Sequence, residues 1–216
     1  MERTLVITGK GKLAVEPDVV IVKFPIGCLD VNYGVAVSEL NNLVDKLRKA
    51  VSLCGMDEKE LKTIDFRVDT VKQWNKKTEA SEFVGFKAQH DLSIEFPLDN
   101  SVTNKLITSF IELDLNVEFK IRFSVKDKER CLEALIENAI LNAKNKAHII
   151  AKASAIKLKE IVNINYSFAD IYFHSDTSLE YSNVESYERE SATSFPDITP
   201  AEINLAENVT ITWRIE

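Results

Sequence analysis

The sequence has little glycine, proline or cysteine, and each shortage excludes a class of protein. Six glycines and five prolines among 216 residues are too few for a long low-complexity or fibrous segment. The three cysteines, Cys28, Cys54 and Cys131, lie far apart in sequence, and an odd number cannot all pair within one chain. We therefore expect a packed globular protein in a reducing compartment, without a disulfide framework.

An export signal and a membrane span are also missing from the sequence. Residues 1–8 lack the basic start, the apolar region and the small-residue cleavage site of a secretory signal. No apolar run reaches the roughly 18 residues that a transmembrane helix needs. As given, the chain is expected to be cytoplasmic, and it would be periplasmic if an export signal had been removed.

The formal net charge of −7 is concentrated in one segment. Between Ala169 and Glu207, nine acidic residues stand against one base, Arg189, so this stretch alone sums to −8. We predict a polar, acidic insert at about residues 169–206, either a long ordered loop or a flap that folds on contact. No part of the chain carries the basic stripe that phosphate contacts require, so we expect no nucleic-acid partner.

Strict alternation of apolar and polar residues is the dominant pattern. It occurs at residues 64–70, 86–96, 117–125 and 209–215. This period predicts half-buried strands in a mostly antiparallel sheet, because strands covered on both faces would be continuously apolar. Further strands are predicted at residues 5–8, 19–28 and 161–168.

Three segments change to helical spacing. They lie at about residues 36–53, closed by Cys54 and Gly55, at about 101–113, and from an N-cap at Asp127 to about 155. The third contains an alanine at every fourth position from 139 to 151, which allows close packing against a sheet or another helix. We predict an α+β fold, a single domain over residues 1–216, with about three helices packed on one face of the sheet.

No motif in the sequence predicts catalysis, a metal site or a cofactor. The segment Gly9-Lys10-Gly11-Lys12 lacks the Gly-Lys-Ser/Thr ending and the following helix of a phosphate-binding loop, so we predict a tight turn between two strands. The nucleophile-elbow, zinc-protease and Cys-x-x-Cys patterns do not occur. His90 lies on the apolar side of its strand, where a neutral imidazole bonded to a neighbour is expected.

The thiols are weighed separately because a reactive cysteine needs a lowered pKa. Cys54 ends a helix, where the carbonyl dipoles disfavour a thiolate. Cys131 follows Lys128 and Arg130, which would lower its pKa if it were exposed, but its helical position suggests a mostly buried side chain. Cys28 and Cys131 are therefore kept as the redox candidates.

The polar sides of the predicted strands carry charges of both signs, and these residues form the predicted assembly face. They are Asp65, Arg67, Asp69, Lys87, Asp91, Glu95, Glu118, Lys120 and Arg122. Such charges can pair across a symmetric contact between copies, and they are also typical of a solvated sheet face. We predict a non-catalytic, homo-oligomeric binding or scaffold protein. The alternatives are a thiol-dependent redox enzyme or sensor and a membrane-associated assembly that encloses a pore.

The order of these motifs resembles the SIMPL domain family over nearly the whole chain. The resemblance is carried by residues 7–11, Pro17–Val20, the first helix with Asn41 and Leu47, Thr63–Phe66, Gly85–Ala88, the alanine-spaced helix and Val209–Trp213. It implies an α+β fold and members that form rings or larger hollow assemblies. It also implies exported bacterial envelope relatives, some linked to oxidative-stress defence, and a mammalian signalling adaptor.

The family resemblance carries over no catalytic residue, because none is established for the family. This chain departs from the family pattern in its missing export signal. It also differs at Phe86 and in the acidic segment, which would alter an assembly surface.

Overall fold

The structure is a computed structural model that describes residues 3–113, 115, 117–166, 171–181 and 197–216. The elements in this part of the chain run in the order β1 (Thr4–Val15), β2 (Val19–Asp30), α1 (Tyr33–Leu53), a short 3-10 helix (Glu58–Glu60), β3 (Lys62–Asn75), β4 (Ala80–Pro97), α2 (Asn100–Glu112), β5 (Phe119–Ser124), α3 (Lys128–Ala153), β6 (Leu158–Asn165), β7 (His174–Tyr181) and β8 (Ile203–Ile215). The predicted α+β class is confirmed.

The strands lie in two sheets, where the alternation suggested one. One sheet has the order β1-β8-β6 and the other the order β3-β4-β2-β5-β7. The reason is that β1 pairs antiparallel with β8 along its whole length, whereas β2 pairs with β4. The chain accordingly divides into unit 1 (residues 1–18, 124–176 and 200–216) and unit 2 (residues 19–123 and 177–199). The single domain over residues 1–216 stays a prediction.

The turn predicted at Gly9–Lys12 is wrong, because the whole segment lies inside β1 in unbroken register with β8. The two glycines allow α3 to approach the strand. A Cβ atom on Gly9 would lie 2.0 Å from the carbonyl oxygen of Ala139, and one on Gly11 would lie 2.0 Å from that of Leu135. The backbones of β1 and α3 are therefore in direct contact where glycines of the strand lie next to the helix.

Helix α3 also closes the outer edge of β1 with three side chains. Asn142 Oδ1 accepts from the Lys10 N–H (3.0 Å), Asn138 Nδ2 donates to the Lys12 carbonyl (3.3 Å) and Lys146 Nζ donates to the Thr8 carbonyl (3.1 Å). Four residues of a helix and two residues of a strand both advance by about 6–7 Å, so the two series stay in step. Three backbone groups at the edge of β1 thus bond to the helix in place of another strand.

In unit 2, α1 and α2 cover one face of the five-stranded sheet, and the helix ends follow the predicted signals. Apolar residues of β2, β4, β5 and the two helices form one buried cluster that includes Phe24, Leu40 and Phe110. Gly55, just after the C-cap of α1, has φ +83°, the left-handed conformation that favours glycine. In unit 1, Asp127 caps α3 by accepting from the Arg130 N–H at 2.9 Å, as predicted.

The predicted acidic insert is partly regular structure. Strand β7 and the first residues of β8 lie within it, whereas residues 169, 170 and 182–196 lie outside the described residues. Glu207, one of the nine acids, is a buried residue of β8 opposite Gly11. The prediction of a loop or flap is therefore wrong for residues 174–181.

We expect Gly9→Ala to destabilise the protein by about 1–3 kcal/mol or more, because the new methyl group would force α3 away from β1. Alanine is otherwise favoured over glycine in a strand by roughly 0.5–1 kcal/mol, so a loss would identify the steric cause. Urea unfolding gives the free energy. Ala14→Val, at an exposed position of the same strand, is the control, and equal stability of Gly9→Ala and the wild type would refute the packing argument.

Candidate functional site

The predicted assembly residues of the three strands β3, β4 and β5 lie on one face of the five-stranded sheet. We call this surface the charged face; it comprises Asp65, Arg67, Asp69, Lys87, Asp91, Glu95, Lys120 and Arg122. Its placement follows from register, since Asp65 lies opposite Asp91 and Asp69 lies opposite Lys87. On β5, Lys120 and Arg122 alternate with buried residues of the core. Glu118 is exposed just before β5.

Several charges of this face are already paired within the chain. The Arg67 guanidinium lies 3.1 Å from Asp65 and 3.5 Å from Asp69, and its Nε donates to Gln89 Oε1 at 3.4 Å. Lys120 pairs with Glu180 on β7. The Arg67 side chain is 52% exposed, and exposed pairs of this kind contribute about 0–1 kcal/mol each. The pairs leave the charges accessible to a partner.

Strand β3 differs from the half-buried strand that its alternation predicts. None of its residues is buried, and Ile64 and Phe66 are 62% and 48% exposed on the apolar side. The reason is position: β3 lies at the end of its sheet, and α1 packs over β2 and β4. The result is an apolar strip along an edge strand, which the sequence pattern alone could not distinguish from core.

A second exposed apolar group lies where β4 meets the start of α1. The ring of Phe86 makes edge contacts with Phe83, at 5.3 Å between centroids, and with Tyr33, at 5.8 Å. Phe83 and Tyr33 are both about half exposed. Phe86 is one of the positions at which the resemblance predicts a departure from the family pattern, and the structure places it in this aromatic group.

His90 has the surroundings of a neutral imidazole, as expected. Its Nε2 lies 2.8 Å from the hydroxyl of Thr63, and its ring packs edge-on against Phe66 at 5.4 Å. Its Nδ1 is buried and has no hydrogen-bond partner in the described part of the chain. Burial, and then the nearby Arg48, lower the pKa of His90, while Asp91 opposes the shift. The histidine is therefore a packing residue of β4, next to the edge strand β3.

The redox candidates lie in surroundings that disfavour the thiolate. Burial and then Glu39 raise the pKa of Cys28. Burial raises the pKa of Cys131, and Asp127 and Asp18 raise it further against the opposing effect of Arg130. Burial also raises the pKa of Cys54, whose thiol donates to the Ala50 carbonyl at 3.1 Å. A nucleophilic cysteine needs the opposite shift.

One shallow cavity in unit 2 lies along α2 and was not foreseen from the sequence. It has a volume of about 660 Å³, and its lining includes Lys105, Thr108 and Glu112 of the helix together with Asp197. Among the described residues, no group of three or more His, Cys, Asp or Glu side chains is placed to hold a metal ion. None of the helices in that part of the chain is long and apolar enough to cross a membrane.

We expect all three thiols of the native protein to react slowly with an aromatic disulfide reagent at pH 7, because their raised pKa values leave little thiolate. Labelling is followed by absorbance, and the rate should rise steeply above pH 9. Urea-unfolded protein is the control for reagent quality. Fast labelling of Cys28 or Cys131 at pH 7 would contradict this expectation and support the thiol-dependent redox alternative.

We expect stability to decrease as pH falls below about 6.5, the usual pKa of an unfolded histidine. The pKa of His90 is lower in the folded state, so the unfolded chain takes up the proton first and folding is penalised. Urea unfolding at pH 7.5 and 5.5 measures the difference. His90→Gln should reduce this difference relative to the wild type. An identical pH response of His90→Gln and the wild type would contradict the assignment.

Comparison with known protein families agrees with this architecture and with the motifs that resemble the SIMPL domain. The SIMPL family, described as a protein of unknown function (DUF541), matches residues 5–213. That range begins in β1 and ends at Trp213 of β8. A search of curated proteins gives no match. The match spans nearly the whole chain, and the protein therefore belongs to the SIMPL family.

Proposed function

We propose that this protein is a non-catalytic, self-associating binding or scaffold protein whose contact surface is provided by unit 2. The observation that carries the proposal is the charged face, where eight charged side chains of mixed sign project from three strands of one sheet, β3, β4 and β5. A surface of this kind is suited to recognise another surface, because its exposed pairing groups are held at the regular spacing of a sheet.

The mixture of charges on this face favours a second copy as the partner. It has four acids (Asp65, Asp69, Asp91 and Glu95) and four bases (Arg67, Lys87, Lys120 and Arg122), whereas the whole chain carries −7. Lys23 of β2 lies on the same face, and Glu118 and Glu180 add acids next to it and on β7. A surface that mixes both signs can be complementary to itself. Repulsion between the acidic remainders is screened beyond about 8 Å at physiological ionic strength, so a contact region of mixed sign can still associate.

The redox alternative has less support, because every cysteine of the chain has a raised pKa. A thiol nucleophile or peroxide sensor depends on a substantial thiolate fraction at neutral pH. Surface recognition makes no such demand. The geometry of the charged face therefore favours the binding proposal over the enzyme.

We expect light scattering at tens of micromolar protein to give a mass at least twice the 24.4 kDa of the chain. Lys87→Glu combined with Arg122→Glu should lower the mass, because it makes the charged face strongly acidic. Lys144→Glu combined with Lys152→Glu changes the net charge equally at exposed positions of α3 and is the matched control. A wild-type protein that stays monomeric over this concentration range refutes the proposal.

A further inference from the structure

The edge strands β1 and β3 differ in whether a helix bonds to their outer backbone groups. The edge of β1 is closed by side chains of α3, at Thr8, Lys10 and Lys12. Strand β3 pairs with β4 on one side, and no described strand or helix pairs with its other side. Its outward backbone N–H and C=O groups are a template for another strand. We call the segment Asp65–Val68 the open edge.

The open edge lies between two irregularities of the β3–β4 ladder. The register shifts between Thr63 and Asp65 and again between Val71 and Lys72, and the intervening pairs are regular. Bulges often keep edge strands from pairing, but here they flank the segment and leave its centre straight. The apolar side chains of the open edge lie on one side, and Asp65 and Arg67 lie on the other.

Two copies related by a two-fold axis can pair antiparallel only in registers centred on a residue, because paired residues must share a sheet face. Centring on Arg67 would place arginine against arginine and Asp65 against Asp69. Like charges directly opposite one another are destabilising. That register is therefore disfavoured.

Centring on Phe66 satisfies both faces. Asp65 of each copy then lies opposite Arg67 of the other, on both sides of the axis. The two Phe66 rings would meet at the axis. Each ring, which is 48% exposed in the single chain, would be covered by the other. A register centred on Val68 also joins opposite charges, but it places Phe66 opposite Thr70.

We propose that this protein pairs with a second copy of itself through the open edge, antiparallel and with the two-fold axis at Phe66. The proposal rests on self-association as the proposed function and assigns a contact at the edge of the sheet, in addition to the charged face. It joins two five-stranded sheets into one continuous sheet, with both charged faces on the same side. Cross-strand neighbours about 4.5–5.5 Å apart supply apolar contacts on one side and ion pairs on the other.

The proposal is tested by reversing one charge of the pair in each of two variants. Asp65→Arg puts arginines opposite one another at both symmetric positions, and Arg67→Asp does the same with aspartates. Each variant alone should associate on the order of tenfold more weakly than the wild type, since two cross-strand pairs become repulsive. In an equimolar mixture every pair is again of opposite sign, so native mass spectrometry should show a mixed dimer.

The control is Asp69→Arg, which changes the same strand outside the open edge. Its mixture with Arg67→Asp should not recover association; recovery would indicate the register centred on Val68 and overturn the one proposed. A monomeric wild type refutes self-association as well as the edge contact. A multimer whose mass none of the three variants changes leaves self-association standing and refutes the edge contact.

A cross-link provides a measurement that does not depend on charge. In Phe66→Cys the two new thiols would meet at the axis, within the reach of a disulfide. Mild oxidation should give a covalent dimer, whereas Thr70→Cys, exposed on the same strand, should not. Equal cross-linking of both variants would refute the register, and circular dichroism confirms that each variant is folded.

Discussion

The contact between β1 and α3 is the constraint on which unit 1 depends. Gly9 and Gly11 leave no room for a Cβ atom, and Ala139 and Ala143 oppose them from the helix. Because the backbones lie this close, polar side chains of the same helix reach the edge of the strand and satisfy its backbone groups. One choice of small residues thus fixes the helix position and closes a sheet edge.

In the described part of unit 2, the edge strand β3 is not covered by a helix, because the helices pack over the centre of the sheet. The α1 helix packs over β2 and β4, and β3 keeps an exposed apolar side and an unpaired outer edge among the described residues. An edge with apolar side chains on one face is a recognised liability in a monomer. In the proposed dimer, a strand from another copy of the chain would pair with this edge and cover its apolar side chains.

The sequence was informative where local chemistry decides the structure. The caps at Asp127 and Gly55, the three helices and the charged face all follow from spacing. Two failures have one cause, namely that the deciding neighbour is distant in sequence. Gly9–Lys12 reads as a turn until α3, about 130 residues away, is known to require a flat strand. Period two shows which β3 residues share a face, but not whether anything covers it.

The cysteine thiols and the charged groups have different surroundings in this chain. The Cys131 thiol is packed among the apolar residues between α3 and β8, and Cys54 is bonded to a helix carbonyl, so both serve packing. Charged groups of both signs instead project from a sheet face, although the chain as a whole is acidic. Because long-range repulsion is screened and short-range pairing is not, the proposed association would be favoured at the sheet and opposed elsewhere. This difference would select the orientation of the two copies in the proposed assembly.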